Sequence, residues 1–200
     1  VSTDEAEHAD RQLRQRAKLS LRNRMRAVRE ALPMTACDAR SAKITQRLRS
    51  LEEFRQATTI LAFASIRNEV RTRPSMEAAW ESAKRVALPR LIEDELRLHV
   101  IDAQTVLVEG PFSVPEPPGT TELIPPNEVD FVLVPALAVD PRGYRIGYGG
   151  GHYDRLLPRL EQACTCVLAY DFQLISEVPE LPFDVAVDLV VTDERVIRVS

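Results

Sequence analysis

The chain has 200 residues, 44% hydrophobic and 28% charged, with a formal net charge of −4. That composition is ordinary for a soluble globular protein and fits one domain over residues 1–200, while the acidic balance weighs against a nucleic-acid binder, whose backbone contacts need a basic surface. No apolar run is long enough to cross a bilayer, no secretory pattern follows Val1, and the odd cysteine count (Cys37, Cys164, Cys166) predicts reduced thiols in a cytoplasmic protein.

In chain order, residues 1–10 are polar and expected to be disordered. From Arg11 to Leu32 the apolar residues Leu13, Ala17, Leu21, Met25, Val28 and Leu32 recur at steps of three and four, which predicts a helix that Pro33 stops. Between Arg11 and Arg29 there are eight Lys/Arg and no acidic residue. Three readings fit that run: a nucleic-acid or acidic-membrane contact, a solvated helix face, or a pocket rim. In the third, Lys18, Arg22, Arg26 and Arg29 line one side of the helix, and Lys18 and Arg22 adjoin Ala17 and Leu21, so their charges reach a seam where they would suit nucleotide phosphates. Thr35 is the predicted cap of a second helix through Ile44, Leu48 and Leu51.

Thr58 to Ala64 reads as a buried strand, Ser75 to Lys84 as a helix, Val86 to Leu91 as a strand and Glu95 to Ile101 as a half-exposed strand. The segment from Thr105 to Gly110 either pairs with the latter or forms a short helix. Pro111 to Pro126 holds six prolines and predicts an extended loop. The apolar run Phe131–Val139, a helix from His152, and strands at Cys164–Tyr170 and Val187–Asp193 complete the pattern. Strands alternating with helices predict a three-layer α/β/α domain with a mostly parallel sheet and a pocket at the carboxyl ends of its strands.

Four of the chain's seven glycines, Gly147, Gly149, Gly150 and Gly151, fall within five positions between the predicted strand and helix. Without Cβ atoms their amides can approach an anion closely, and the helix start adds partial positive charge. The spacing matches neither the dinucleotide fingerprint, which needs glycine where His152 stands, nor a P-loop. A phosphate cradle and a plain glycine-rich turn both fit; Arg145 and Arg155, flanking the glycines, favour the anion.

Together with KLSLR from Lys18, AFASIRNEVRT, FSVPEP, VPALAVDPRGYRIGYGGGHYDRLL and FDVAVDLVVTDERV, this segment resembles the 5-formyltetrahydrofolate cyclo-ligase (methenyltetrahydrofolate synthetase) family from about Lys18 to Val196. The resemblance implies an enzyme that converts 5-formyltetrahydrofolate to 5,10-methenyltetrahydrofolate as MgATP becomes ADP and phosphate. Phosphorylating the formyl oxygen turns it into a leaving group, and the folate's anilino nitrogen then closes the ring; the protein's task is alignment and charge offset. It further implies that Lys18, Arg22, Arg145 and the stretch Gly147, Tyr148, Gly149, Gly150, Gly151, His152 and Tyr153 hold ATP. Tyr153 and Arg145 act at the reacting centre, and Asp154 and Asp188 lie at Mg²⁺. Glu69 accepts hydrogen bonds from the pterin, Phe63 lines its pocket, and Phe112 and Glu116 border the folate, by contact or by stiffening the loop. Asp154 also fits a carboxylate facing the helix dipole, Tyr153 a core aromatic, and His152 either a phosphate contact or packing at the helix start. Gly150 stands where some family members carry Lys, and Ala136 and Val139 replace the usual Gly and Phe after Pro135. Two other functions therefore stay open: a paralogue that keeps the nucleotide but not the folate reaction, and a nucleic-acid module using the basic helix. The expected protein is a monomer with a small-molecule substrate and neither nucleic-acid nor membrane partners.

Overall fold

The computed structural model describes residues 3–199, with side chains from residue 5 onward. Helices α1 (Thr3–Glu30), α2 (Met34–Ser50) and α3 (Glu52–Gln56) precede strand β1 (Thr59–Leu61). Then come α4 (Arg73–Glu81), β2 (Arg85–Ile92), β3 (Glu95–Ile101), and the short strands β4 (Val108–Glu109), β5 (Pro115–Glu116) and β6 (Leu123–Ile124). The rest comprises β7 (Phe131–Pro135), β8 (Ala138–Val139), β9 (Arg145–Ile146), α5 (His152–Leu156), β10 (Cys164–Leu168), β11 (Leu189–Val191) and β12 (Val196–Arg198).

Eight strands make one sheet in the order β12-β11-β10-β7-β1-β2-β3-β6. From β11 to β2 every neighbour is parallel, while β12, β3 and β6 join the edges antiparallel. On one face Ile44, Leu48, Phe54, Met76 and Ala79 of α2, α3 and α4 pack on Ile60, Val86, Leu133, Cys166 and Leu189. On the other, Leu156, Leu157 and Leu160, from α5 and the turn after it, cover Leu61, Val132, Val134, Val167 and Val190. The expected three layers are thus present, and each fully buried aliphatic side chain in them contributes about 1.5–3 kcal/mol. The chain leaves β1 for β2 on one side and returns to β7 on the other, so a crevice opens where the carboxyl ends of β1 and β7 diverge.

Local differences from the sequence reading have physical causes. Thr3–Asp10 continues α1 as helix rather than fraying; Val1 and Ser2, the remainder of that expectation, lie outside the described residues. Thr35 does not cap α2, which starts one residue earlier behind Pro33, and Leu51 turns extended (ψ 131°) so that α3 is a separate turn. The segment from Thr105 pairs through β4 with β5, not with β3. The proline-rich stretch is not wholly loop: β6 within it binds the edge of β3. Phe131–Val139 divides at Pro135, because β8 belongs to a separate hairpin with β9. The β2–β3 hairpin closes through Glu93 and Asp94, both at positive φ (49° and 66°), as a tight two-residue turn requires.

Candidate active site

Helix α1 lies against the β8–β9 hairpin, with Met25 packed on Leu137, Ala138 and Ile146. Of the predicted apolar stripe, Met25 is buried and Ala17, Leu21 and Leu32 are half-buried. Leu13 and Val28 are 66% and 46% exposed, whereas Lys18 and Arg29 are buried. The seam beneath the helix is polar, so it selects cations. Lys18 Nζ donates to Asp184, whose Oδ2 also accepts from the Leu181 amide at 2.7 Å. Arg22 Nε donates to the Gly147 carbonyl at 2.8 Å. Of the four cations in that row, Lys18 and Arg29 are buried and Arg22 half-buried against the body, while Arg26 is exposed.

The glycine segment forms an open loop between β9 and α5. Gly149 and Gly151 sit at φ 109° and 66°, conformations that side chains rarely adopt. A Cβ on Gly149 would stand 3.3 Å from the Arg22 guanidinium carbon, and one on Gly147 would meet nothing. Among the described residues nothing accepts from the amides of Tyr148, Gly149, Gly150 or Gly151. Bare amides beside a guanidinium fit the phosphates of a nucleotide. The helix that follows is a five-residue turn, so its dipole adds less than the sequence suggested. His152 packs its imidazole at the position a Gly150 Cβ would take, and Arg155 ties the Gly150 carbonyl (3.0 Å) to Asp94 (3.1 Å) on the hairpin tip.

Tyr148 points back into the crevice. Its hydroxyl accepts from Arg29 Nη2, and its ring lies 5.5 Å from the Arg29 guanidinium carbon and 6.0 Å from that of Arg67. Beside it Glu69, 4% exposed, takes the Ile66 amide at 2.9 Å and lies 3.6 Å from Arg29. Burial pushes the Glu69 carboxyl above the ordinary carboxylate range, against the pull of Arg29, the Ile66 amide, Tyr148 and Arg67. Burial, reinforced by the Glu69 charge, holds the Tyr148 hydroxyl up at about 12. Phe63, Val70, Pro135, Ala136, Leu168 and Gln173 close the walls, and the space between them is too tight for a water. Ala136 thus lines this pocket; Val139 is sealed in the core.

The Tyr153 hydroxyl is sealed from solvent and has no hydrogen-bond partner among the described residues. A buried hydroxyl left without a partner is rare in a folded protein. Burial, then the Glu69 charge, raises its pKa.

Other expected site residues are placed differently. Arg145, expected at phosphate, donates to the Val185 carbonyl (2.7 Å) and to Asp154 Oδ1 (2.9 Å). Asp154 and Asp188 do not converge on a magnesium site. Asp188 accepts from the Thr165 amide (2.8 Å) and hydroxyl (2.7 Å) where β10 and β11 begin. Among the described residues no three His, Cys, Asp or Glu side chains form a metal-holding group. Phe112 is 83% exposed, at φ 59°. Glu116 is buried and accepts from the Leu91 amide at 3.0 Å, which pins the proline-rich segment to β2. Sequence reasoning did not name Asp184, Asp94 or Gln173. It noted Arg29 in the helix row but gave it no role; its spacing of seven from Arg22 was the available signal.

The doubly flanked α/β sheet thus brings a glycine loop, a cation-lined helix and a buried carboxylate together at the carboxyl ends of its strands. The family model for the 5-formyltetrahydrofolate cyclo-ligase family matches residues 14–193, and the chain belongs to that family. A 5-formyltetrahydrofolate cyclo-ligase from Escherichia coli (strain K12) is 32% identical over 146 residues, covering 70% of this chain and 80% of that protein. One from Mycolicibacterium smegmatis is 29% identical over 189 residues, covering 90% and 95%. The solved structure of Aquifex aeolicus 5,10-methenyltetrahydrofolate synthetase superposes with a TM-score of 0.82 at 32% identity, covering 91% of this chain and 92% of that one. Among the described residues no helix is long and apolar enough to cross a membrane.

Proposed function

We propose that this chain is a 5-formyltetrahydrofolate cyclo-ligase, closing 5-formyltetrahydrofolate to 5,10-methenyltetrahydrofolate at the expense of ATP. The observation that carries the reading is one loop that touches both sides of the crevice: the Gly147 carbonyl accepts from Arg22, and the hydroxyl of Tyr148, the next residue, accepts from Arg29 beside Glu69. Arg22 and the free loop amides hold the triphosphate; Lys18, one helical turn away, adds a cation that Asp184 keeps in place. Glu69 orients the pterin. Tyr153, whose hydroxyl has no other partner, donates to the oxygen on which charge develops. Arg145 and Asp154 fix the loop from below. Among the described residues no group of three or more ligating side chains is built for Mg²⁺, so the ion would enter with the nucleotide.

Mixing the protein with MgATP and 5-formyltetrahydrofolate and following the methenyl chromophore tests the reading; folded protein that gives no ATP-dependent absorbance refutes it. Tyr153→Phe separates chemistry from packing. It removes an unpaired buried hydroxyl, so melting temperature holds or rises, while turnover drops by roughly 10²-fold or more as an oxyanion donor is lost. Undiminished turnover in a stable variant would remove Tyr153 from the mechanism.

A further inference from the structure

Arg29 is the most deeply sealed cation of the site, and its hydrogen bonding is incomplete. Its side chain is 1% exposed, and Nε is buried without a partner among the described residues. Nη1 reaches the Ala136 carbonyl only at 3.4 Å and stands 3.6 Å from Glu69 Oε1; Nη2 donates to the Tyr148 hydroxyl. Holding a guanidinium in a dry pocket with a donor unmet is costly unless an acceptor arrives with a ligand. The pterin edge offers one. It presents an oxygen at position 4, then a ring N–H, then a 2-amino group: one acceptor followed by two donors. Arg29 and Glu69, side by side, present a donor followed by a carboxylate, the complement of that edge.

We propose that Arg29 is a substrate-binding residue that takes the pterin 4-oxygen while Glu69 takes the adjacent ring N–H and amino group. The Tyr148 hydroxyl holds Arg29 Nη2 in the free protein and is displaced by the substrate, so that Nη2 and the unmet Nε, which share one edge of the guanidinium, both face the 4-oxygen. The assignment rests on the cyclo-ligase reading. Tyr148 is tethered between Gly147 and Gly149, so it can leave the crevice without disturbing β9 or α5. Its departure also moves the phosphate loop, which links folate entry to the nucleotide side.

Calorimetric titration with 5-formyltetrahydrofolate and with its 4-amino-4-deoxy analogue, which puts a donor where the oxygen was and turns the neighbouring ring N–H into an acceptor, tests this in wild type, Arg29→Lys and Tyr148→Phe. Wild type should prefer the 4-oxo ligand by about tenfold or more, the scale of one hydrogen bond from a charged donor. Arg29→Lys keeps the charge but not the fork and should lower that preference several-fold, leaving the share that Glu69 and the ring N–H supply. Tyr148→Phe keeps the ring and removes the competing hydroxyl, so it should bind 5-formyltetrahydrofolate more tightly than wild type. Preference unchanged in Arg29→Lys, or binding equal or weaker in Tyr148→Phe, overturns the assignment. If Arg29→Lys does not fold, Tyr148→Phe decides alone. Wild type that binds 5-formyltetrahydrofolate under no condition, MgATP included, defeats the cyclo-ligase reading itself; wild type that binds it without these differences defeats only the role of Arg29.

Discussion

Glu69→Gln is expected to leave the fold standing and to cut kcat/KM for 5-formyltetrahydrofolate by roughly 10²–10⁴-fold, with KM for ATP little changed. The glutamine oxygen can keep the bond from the Ile66 amide, so the loop after β1 stays closed. What disappears is a charged acceptor facing two pterin donors, and a glutamine amide turned toward those donors would repel them. Steady-state kinetics at the methenyl absorbance, with circular dichroism as a control for folding, decides it; a variant as active as wild type would put the pterin elsewhere. The same carboxyl sets a pH dependence. Its folded pKa is raised, so the ionised form that binds pterin grows in only above the ordinary carboxylate range, and folate affinity rises with pH through that step. The stability contribution runs oppositely: it is full below the unfolded pKa and is lost as pH rises through the folded one. Both slopes should vanish in Glu69→Gln.

Gly143→Ala should be the most damaging small substitution for stability. Gly143 sits at φ 84° in the β8–β9 turn, and an added Cβ would come within 2.4 Å of the Val187 carbonyl oxygen and 3.0 Å of its nitrogen. Both are main-chain atoms, so neither can rotate away. The Val187 amide also donates to the Gly143 carbonyl at 3.1 Å, a bond that separating the strands would stretch. Backbone strain of about 1–3 kcal/mol and the lost bond of about 1 kcal/mol add up to roughly 10 °C in melting temperature for a chain of this size. The turn docks the hairpin on the stretch containing Asp184 and Val185, the anchors of Lys18 and Arg145, so the site loosens with it. Thermal unfolding measures the effect; a melting point within a degree or two of wild type would show that the turn relaxes freely.

The central strands were legible because β-branched, apolar runs such as Thr59–Leu61 and Phe131–Pro135 have few other homes. The glycine loop was legible because four glycines in five positions are hard to explain by packing. The phase of α1 was legible in part: Met25 is buried and Ala17, Leu21 and Leu32 are half-buried as the spacing predicts, while Leu13 and Val28 are exposed. A period of three to four residues marks a buried face only where the opposing surface is apolar, and here Gly147, Glu69 and Asp184 oppose it, so Lys18 and Arg29 go in and Leu13 stays out. β6 was hidden by the prolines around it, although Leu123 and Ile124 are apolar and free to pair with an edge. Asp188 matched a family position, but its short-range bonds to Thr165 hold it at the opposite entry of β10. Arg145 and Asp154 satisfy each other, a pairing that nine residues of separation across a loop did not announce.

The way α1 is seated has a mechanical consequence. Its grip on the body runs through Arg14–Glu180, Lys18–Asp184, Arg22 and Arg29, with Met25 as its deep apolar contact. Such a clasp yields locally at lower free energy than the sheet, and its outer links weaken as ionic strength rises. A polyanion arriving between the helix and the loop would supply a shared counter-charge and draw the clasp shut, so the order of this one helix becomes a gauge of occupancy.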